Sequence, residues 1–234
     1  MFLAFLEQYP FALAFLLGLI PALIWLWFWL KEDTHPEPVK MITLSFLGGM
    51  VAVIFVLPLQ KLVYTYFISY ETLSFVLWAS IEEVAKFAFI YFIALKHKVT
   101  DEPIDDIIYL IVSALGFVTL ENSFFLADLV QKGAFLETII NSNLRFVGAS
   151  LLHVMSSATI GIFMGLSFYK TESKKIMYLV LGLITAIILH TAFNLLIING
   201  APGGIFLVFG MVWIGIIVLF LLFEKVKRVS KSIA

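Results

Sequence analysis

The sequence predicts an all-α protein, a polytopic membrane helical bundle of about seven transmembrane helices, folded as a single integral-membrane domain over residues 1–234. Three observations carry this expectation. Hydrophobic residues make up 62% of the chain and charged residues only 13%, outside the balance of a soluble globular protein. The apolar residues fall into long runs separated by charged or Gly/Pro-containing breaks. A chain of 234 residues covers about seven spans of ~20 residues with short connections and leaves no room for a large soluble domain.

Taken in order, the apolar runs place spans near 11–30, 41–59, 73–95, 105–127, 146–169, 176–198 and 205–223. The first lacks a basic n-region and a small-residue cleavage site, so it reads as a retained span, with Trp25, Trp27 and Trp29 as a lipid-interface anchor. Asp33, Pro36, Glu37 and Pro38 form a solvated turn after it. Residues 60–72 are too polar for an independent span. Residues 128–144 read as an interfacial stretch with Phe135, Leu136, Ile139 and Ile140 on one partial apolar face. The tail from Lys225 to Lys231 reads as a membrane-surface segment.

Basic residues set the orientation, because cytoplasmic loops carry the excess of Lys and Arg. With seven spans, eleven of them (Lys31, Lys40, Lys96, Lys98, Lys170, Lys174, Lys175, Lys225, Lys227, Arg228 and Lys231) fall on one side and three (Lys61, Lys132 and Arg145) on the other. The N-terminus is therefore expected outside and the C-terminus in the cytoplasm. A net charge of −1 gives no reason to expect a nucleic-acid partner, and the absence of cysteine excludes disulfides, thiol nucleophiles and thiolate metal sites.

Within these spans, Glu82, Glu121, His153, His190 and Asn194 lie where lipid penalises them, by roughly 2.5–3.5 kcal/mol for a charged residue at a helix centre. With a rise of about 1.5 Å per residue, Glu82 and Glu83 lie roughly 15 Å from the outer end of their span. Glu121, His153 and His190 lie roughly 9–12 Å deep and Asn194 roughly 6 Å. Four antiparallel helices thus bring polar groups to similar depth, which points to a shared aqueous cavity.

Glu82-Glu83-x-x-Lys86 is the strongest local pattern. Its i,i+4 spacing puts Glu82 and Lys86 on one face and turns Glu83 by about 100°. One carboxylate can then work while the other braces, or the pattern is a structural ion pair. His190 and Asn194 share a face and can stabilise an oxyanion; interhelical glue is the plainer reading. Arg145, His153 and Ser157 can share a face of the fifth span, continued by Gly161 and Gly165, which read as close helix packing. Glu121 lies near enough to the interface to snorkel to water.

These residues resemble the PrsW family of intramembrane proteases, in the wider clan of CAAX prenyl-protein proteases and bacteriocin-processing enzymes. The resemblance covers nearly the whole chain. It rests on Asp33 with Pro36-Glu37-Pro38, Glu82-Glu83-x-x-Lys86, Gly116-Phe117 with Glu121-Asn122, Arg145 with His153 and Gly161, and His190-x-x-Phe193-Asn194. It implies a multi-pass protein of a prokaryotic plasma membrane that cleaves single-pass membrane proteins of the anti-sigma-factor type near the outer face. The clan's Phe-x-x-x-His reads Phe117-x-x-x-Glu121 here, so His153 is the expected substitute for its histidine. Leu110 and Phe125 replace the usual Gly and Tyr and are expected to alter packing only.

The resemblance and the chemistry together imply a glutamic peptidase without a cofactor. Glu82 is the general base on a water oriented by His153, Glu83 braces or assists, Glu121 tunes the site, and His190 with Asn194 faces the oxyanion. Lys86, Asn122 and Arg145 support them. The alternative within enzymes is a zinc peptidase with Glu82, Glu121, His153 and His190 as ligands. Outside enzymes, a proton-coupled transporter also places Glu and His in a membrane cavity, but neither inverted repeats nor interrupted helices are visible. A noncatalytic scaffold is the third reading. The oligomeric state is left open.

Overall fold

A computed structural model describes residues 9–33, 35–198 and 204–230. Lys231 and the side chain of Phe135 lie outside the described residues. The described chain forms eight α-helices and no strand: α1 (Pro10–Leu30), α2 (Val39–Phe67), α3 (Glu71–Ile90), α4 (Asp105–Gln131), α5 (Phe135–Val147), α6 (Ala149–Leu166), α7 (Glu172–Ile198) and α8 (Gly204–Lys227). A single π-helical segment, Tyr91–Leu95, continues α3.

Helix α4 is the centre of the bundle. Every residue from Asp105 to Thr119 is buried, and beyond the two acids at its start the helix is apolar nearly all round, as a central helix should be. Its neighbours approach to backbone contact. A Cβ on Gly49 of α2 would collide with the Ser113 carbonyl of α4, and one on Gly116 of α4 with the Phe46 carbonyl of α2. A Cβ on Gly161 of α6 would lie 2.6 Å from Ile107 Cα, so Gly161 does serve close packing. Helix α4 ends at Gly133, whose φ of 69° allows the bonds Gly133 N–H to Val130 C=O (3.0 Å) and Ala134 N–H to Leu129 C=O (3.1 Å). That is a Schellman stop.

Six stretches among the described residues are long and apolar enough to cross a membrane: α1, α2, α4, the stretch Leu136–Leu166 that joins α5 to α6, α7 and α8. Helix α3, the third of the expected spans, has 20 residues but carries Glu82, Glu83 and Lys86 near its middle. Its buried positions, Ser74, Phe75, Ala79, Glu82, Glu83, Lys86 and Ile90, form one face on which the charges point inward, while Val76 and Val84 point outward. The helix is inside-out relative to a soluble one.

Four local expectations change. The turn after α1 is not wholly solvated: Asp33 is buried, and Glu37 accepts a hydrogen bond from Tyr109 of α4. Helix α2 runs on to Phe67, so part of the polar stretch after residue 59 continues that helix. Gly148 interrupts the expected fifth span, leaving Arg145 on α5 and His153 on α6. Trp29 is no interface anchor: it is fully buried and stacks on Phe220 with centroids 4.8 Å apart, because α8 packs over this end of α1. Trp27 alone of the three is well exposed. The amphipathic reading of the interfacial stretch matches α5, whose Leu136, Ile139 and Ile140 are exposed.

Candidate active site

Helices α3, α4, α6 and α7 converge on one buried polar cluster, reached by the side chain of Arg145 from α5 and of Gln60 from α2. Glu83 is its anchor. Its Oε1 accepts hydrogen bonds from Lys86 Nζ (2.6 Å), Ser156 Oγ (2.8 Å) and His190 Nδ1 (2.7 Å), and its Oε2 accepts from Ser157 Oγ (3.1 Å). Four donors on a fully buried carboxyl are the pattern of an ionised, acceptor-only group. Lys86 therefore pairs with Glu83, three residues away, and not with Glu82 as the i,i+4 spacing implies. Both offsets lie on one side of a helix, and Glu82 is drawn elsewhere.

Glu82 Oε1 accepts from Gln60 Nε2 at 2.7 Å. Its Oε2 is buried and has no hydrogen-bond partner, with His190 Nε2 3.6 Å away. His190 donates Nδ1–H to Glu83, and its other ring nitrogen, Nε2, faces Glu82. Here two reactive atoms face each other across a gap too long for a hydrogen bond.

His153 is differently committed. An ammonium only donates, so the 3.1 Å contact from Lys86 Nζ makes His153 Nδ1 the acceptor and leaves the proton on Nε2, which donates to Glu121 Oε2 at 3.1 Å. Arg145 binds the same carboxylate at 3.3 Å and also donates to Asn122 Oδ1. Its guanidinium lies 4.5 Å from the Phe125 ring centroid, so Phe125 supports a residue of the cluster. The Phe117 ring backs Lys86 and His153, and the His153 and His190 rings meet edge to face at 5.0 Å.

The structure thus brings together Glu82, Glu83, Lys86, Glu121, Asn122, Arg145, His153 and His190. Asn194 lies one turn along α7 from His190, partly buried, and its side chain makes no hydrogen bond among the described residues. Sequence reasoning passed over Gln60 and Ser156. The signal for Gln60 was there: an amide two residues after a helix-interior proline, at the end of an apolar run. Glu82, His153 and His190 each offer a ligand atom within 4.8 Å of the others, the only such group found among the described residues. One carboxylate and two imidazoles from three helices are also the donor types of catalytic zinc.

A family model described as PrsW family intramembrane metalloprotease matches residues 37–223, most of the chain and all of this cluster. The chain belongs to the PrsW family. Among curated relatives, Protease PrsW of Clostridioides difficile is 32% identical over 194 residues, covering 78% of this chain and 78% of its own. Protease PrsW of Geobacillus kaustophilus is 28% identical (74% and 73% covered), and that of Bacillus subtilis 24% identical (77% and 80%). No solved structure matches. A PrsW-family chain with six long apolar helices is an intramembrane protease and a multi-pass protein of the bacterial cell membrane.

Proposed function

We propose that this protein hydrolyses peptide bonds of single-pass membrane proteins, of the anti-sigma-factor type, in the outer half of the bilayer, with its N-terminus outside. The carrying observation is the gap between Glu82 Oε2 and His190 Nε2, a buried carboxylate oxygen without a partner opposite an imidazole nitrogen. A water placed there can give a proton to Glu82 Oε2 while its oxygen attacks the scissile carbonyl. The proton then passes from Glu82 to the leaving amine. Asn194, with an uncommitted amide, is the donor left for the oxyanion. His153, with both nitrogens engaged, holds Glu121 and Lys86 in register, and Glu83 with its four donors aims His190.

A second reading is favoured by the spacing of Glu82, His153 and His190. Their donor types and the unpartnered Glu82 Oε2 fit a divalent metal once Lys86 or Glu121 frees one nitrogen of His153. A metal held there would supply Lewis acidity and a water deprotonated near neutral pH. In that arrangement Glu83 would orient His190, and Glu121 would remain the carboxylate nearest His153.

One experiment separates the readings. The purified protein and its Glu82→Gln and His190→Ala variants are assayed by mass spectrometry for cleavage of a co-reconstituted library of single-span peptides, alongside elemental analysis. Loss of cleavage in both variants with metal absent from active wild type supports the glutamate-activated water. Near-stoichiometric zinc lost in both variants establishes the metal. Full turnover by Glu82→Gln would sink both.

A further inference from the structure

We infer that Gln60 is a positioning residue for Glu82, fixing which of its carboxylate oxygens faces the reaction. The inference rests on the reading of Glu82 as the proton acceptor. Gln60 lies near the end of α2, two residues after Pro58, whose ring nitrogen cannot bond to the carbonyl one turn earlier. Three successive turns of α3 hold this end of α2. Ser74 Oγ donates to the Phe67 carbonyl at 2.7 Å, Trp78 Nε1 donates to the Gln60 carbonyl at 3.1 Å, and Glu82 accepts from the Gln60 side chain at 2.7 Å. Residues 74, 78 and 82 are four apart and so lie on one stripe. Gln60 is thereby gripped at its backbone and at its amide by adjacent turns of the same helix.

The grip selects an oxygen. A carboxylate only accepts, so the Gln60 side chain presents its NH₂ to Glu82 Oε1. That leaves Oε2, buried and without a hydrogen bond, directed at His190 Nε2. Without the amide, the carboxyl could rotate about its terminal torsion, which has no strong staggered preference, and either oxygen could turn away from the gap.

The test is an infrared difference spectrum of the full-length protein in detergent, with the Glu82 carboxyl bands assigned by their absence from Glu82→Gln. In Gln60→Met, which keeps length but has no donor, those bands are expected to shift because the hydrogen bond to Oε1 is lost. On a peptide cleaved from the single-span library, kcat is expected to fall roughly tenfold or more with KM unchanged. A purely structural Gln60 would instead lower thermal stability and leave the bands in place, which would overturn the inference. Should Gln60→Met not fold, Gln60→Asn serves: its amide is one methylene too short to reach Oε1, and Glu82 bands identical to wild type would overturn the inference. A dead Glu82→Gln with unmoved Glu82 bands in Gln60→Met removes this inference alone. An active Glu82→Gln removes the reading beneath it, while the bands still report on the contact.

Discussion

The two ends of α4 carry two acid-rich clusters that solve the same problem differently. Around Glu121, at the site, each carboxylate meets a base or amide side chain: Glu83 meets Lys86 of its own helix and His190 of another, Glu121 meets His153 and Arg145, and Glu82 meets Gln60. Around Asp105, at the other end, the partners are mostly backbone and phenol. Asp105 Oδ2 accepts the Asp101 and Glu102 N–H groups at 2.8 Å, Asp33 Oδ1 accepts the His35 N–H at 2.9 Å, and Tyr109 donates its hydroxyl to Glu37. The His35 ring pairs with Glu102 at 2.9 Å, with both side chains well exposed. Charges deep in the bundle need countercharges, whereas acids near a helix end can use loop donors and retained protons.

The largest test of this contrast is Glu83→Ala. It leaves Lys86 buried with its carboxylate gone, a loss of about 3–5 kcal/mol in unfolding free energy measured by denaturant titration in detergent. A Glu83→Leu/Lys86→Met double variant removes the unpaired charge and should recover part of that stability, though not the hydrogen bonds of Ser156, Ser157 and His190, and none of the hydrolysis. At the other end, Tyr109→Phe removes one neutral donor and should cost only about 1 kcal/mol by the same measurement.

Glu37 adds a pH signature to that end. Burial, reinforced by the Asp105 and Asp33 carboxylates, raises its carboxyl from 4.5 to about 8 against the lowering effect of Tyr109. The folded state therefore holds a proton that the unfolded chain releases. This contribution is complete below the ordinary value of 4.5 and is lost as pH rises through about 8. Melting temperature followed over that interval should fall in wild type, and the Glu37 part of the fall should vanish in Glu37→Gln. The smallest effect belongs to neither cluster. Lys132→Ala breaks an exposed pair with Asp128 and should change stability by less than about 0.5 kcal/mol.

Much of this organisation was legible in the residues. Runs of apolar residues located the long helices, and intramembrane Glu and His marked the four helices that meet at the site, since lipid tolerates such groups only where they converge. Pairing within the cluster was not legible. Spacing puts both Glu82 and Glu83 within reach of Lys86, and only the positions of Ser156, Ser157 and His190 decide for Glu83. Gln60 stayed hidden because an amide at the end of an apolar run resembles an interfacial residue until its cross-helix partner is known. Trp29 misled for a related reason: a tryptophan at a span end reads as an anchor, and here α8 covers it.

The inward-facing charges of α3 have a consequence for the order of events during synthesis. Taken alone, this helix would set Glu82, Glu83 and Lys86 against lipid, each at a cost of roughly 2.5–3.5 kcal/mol. The groups that neutralise them, His153, Ser156 and Ser157 on α6 and His190 on α7, leave the ribosome tens of residues later. Until they arrive, α3 has no settled home in the bilayer. It has to linger at the water boundary or beside the insertion machinery, and the polar cluster closes only as the later helices are delivered.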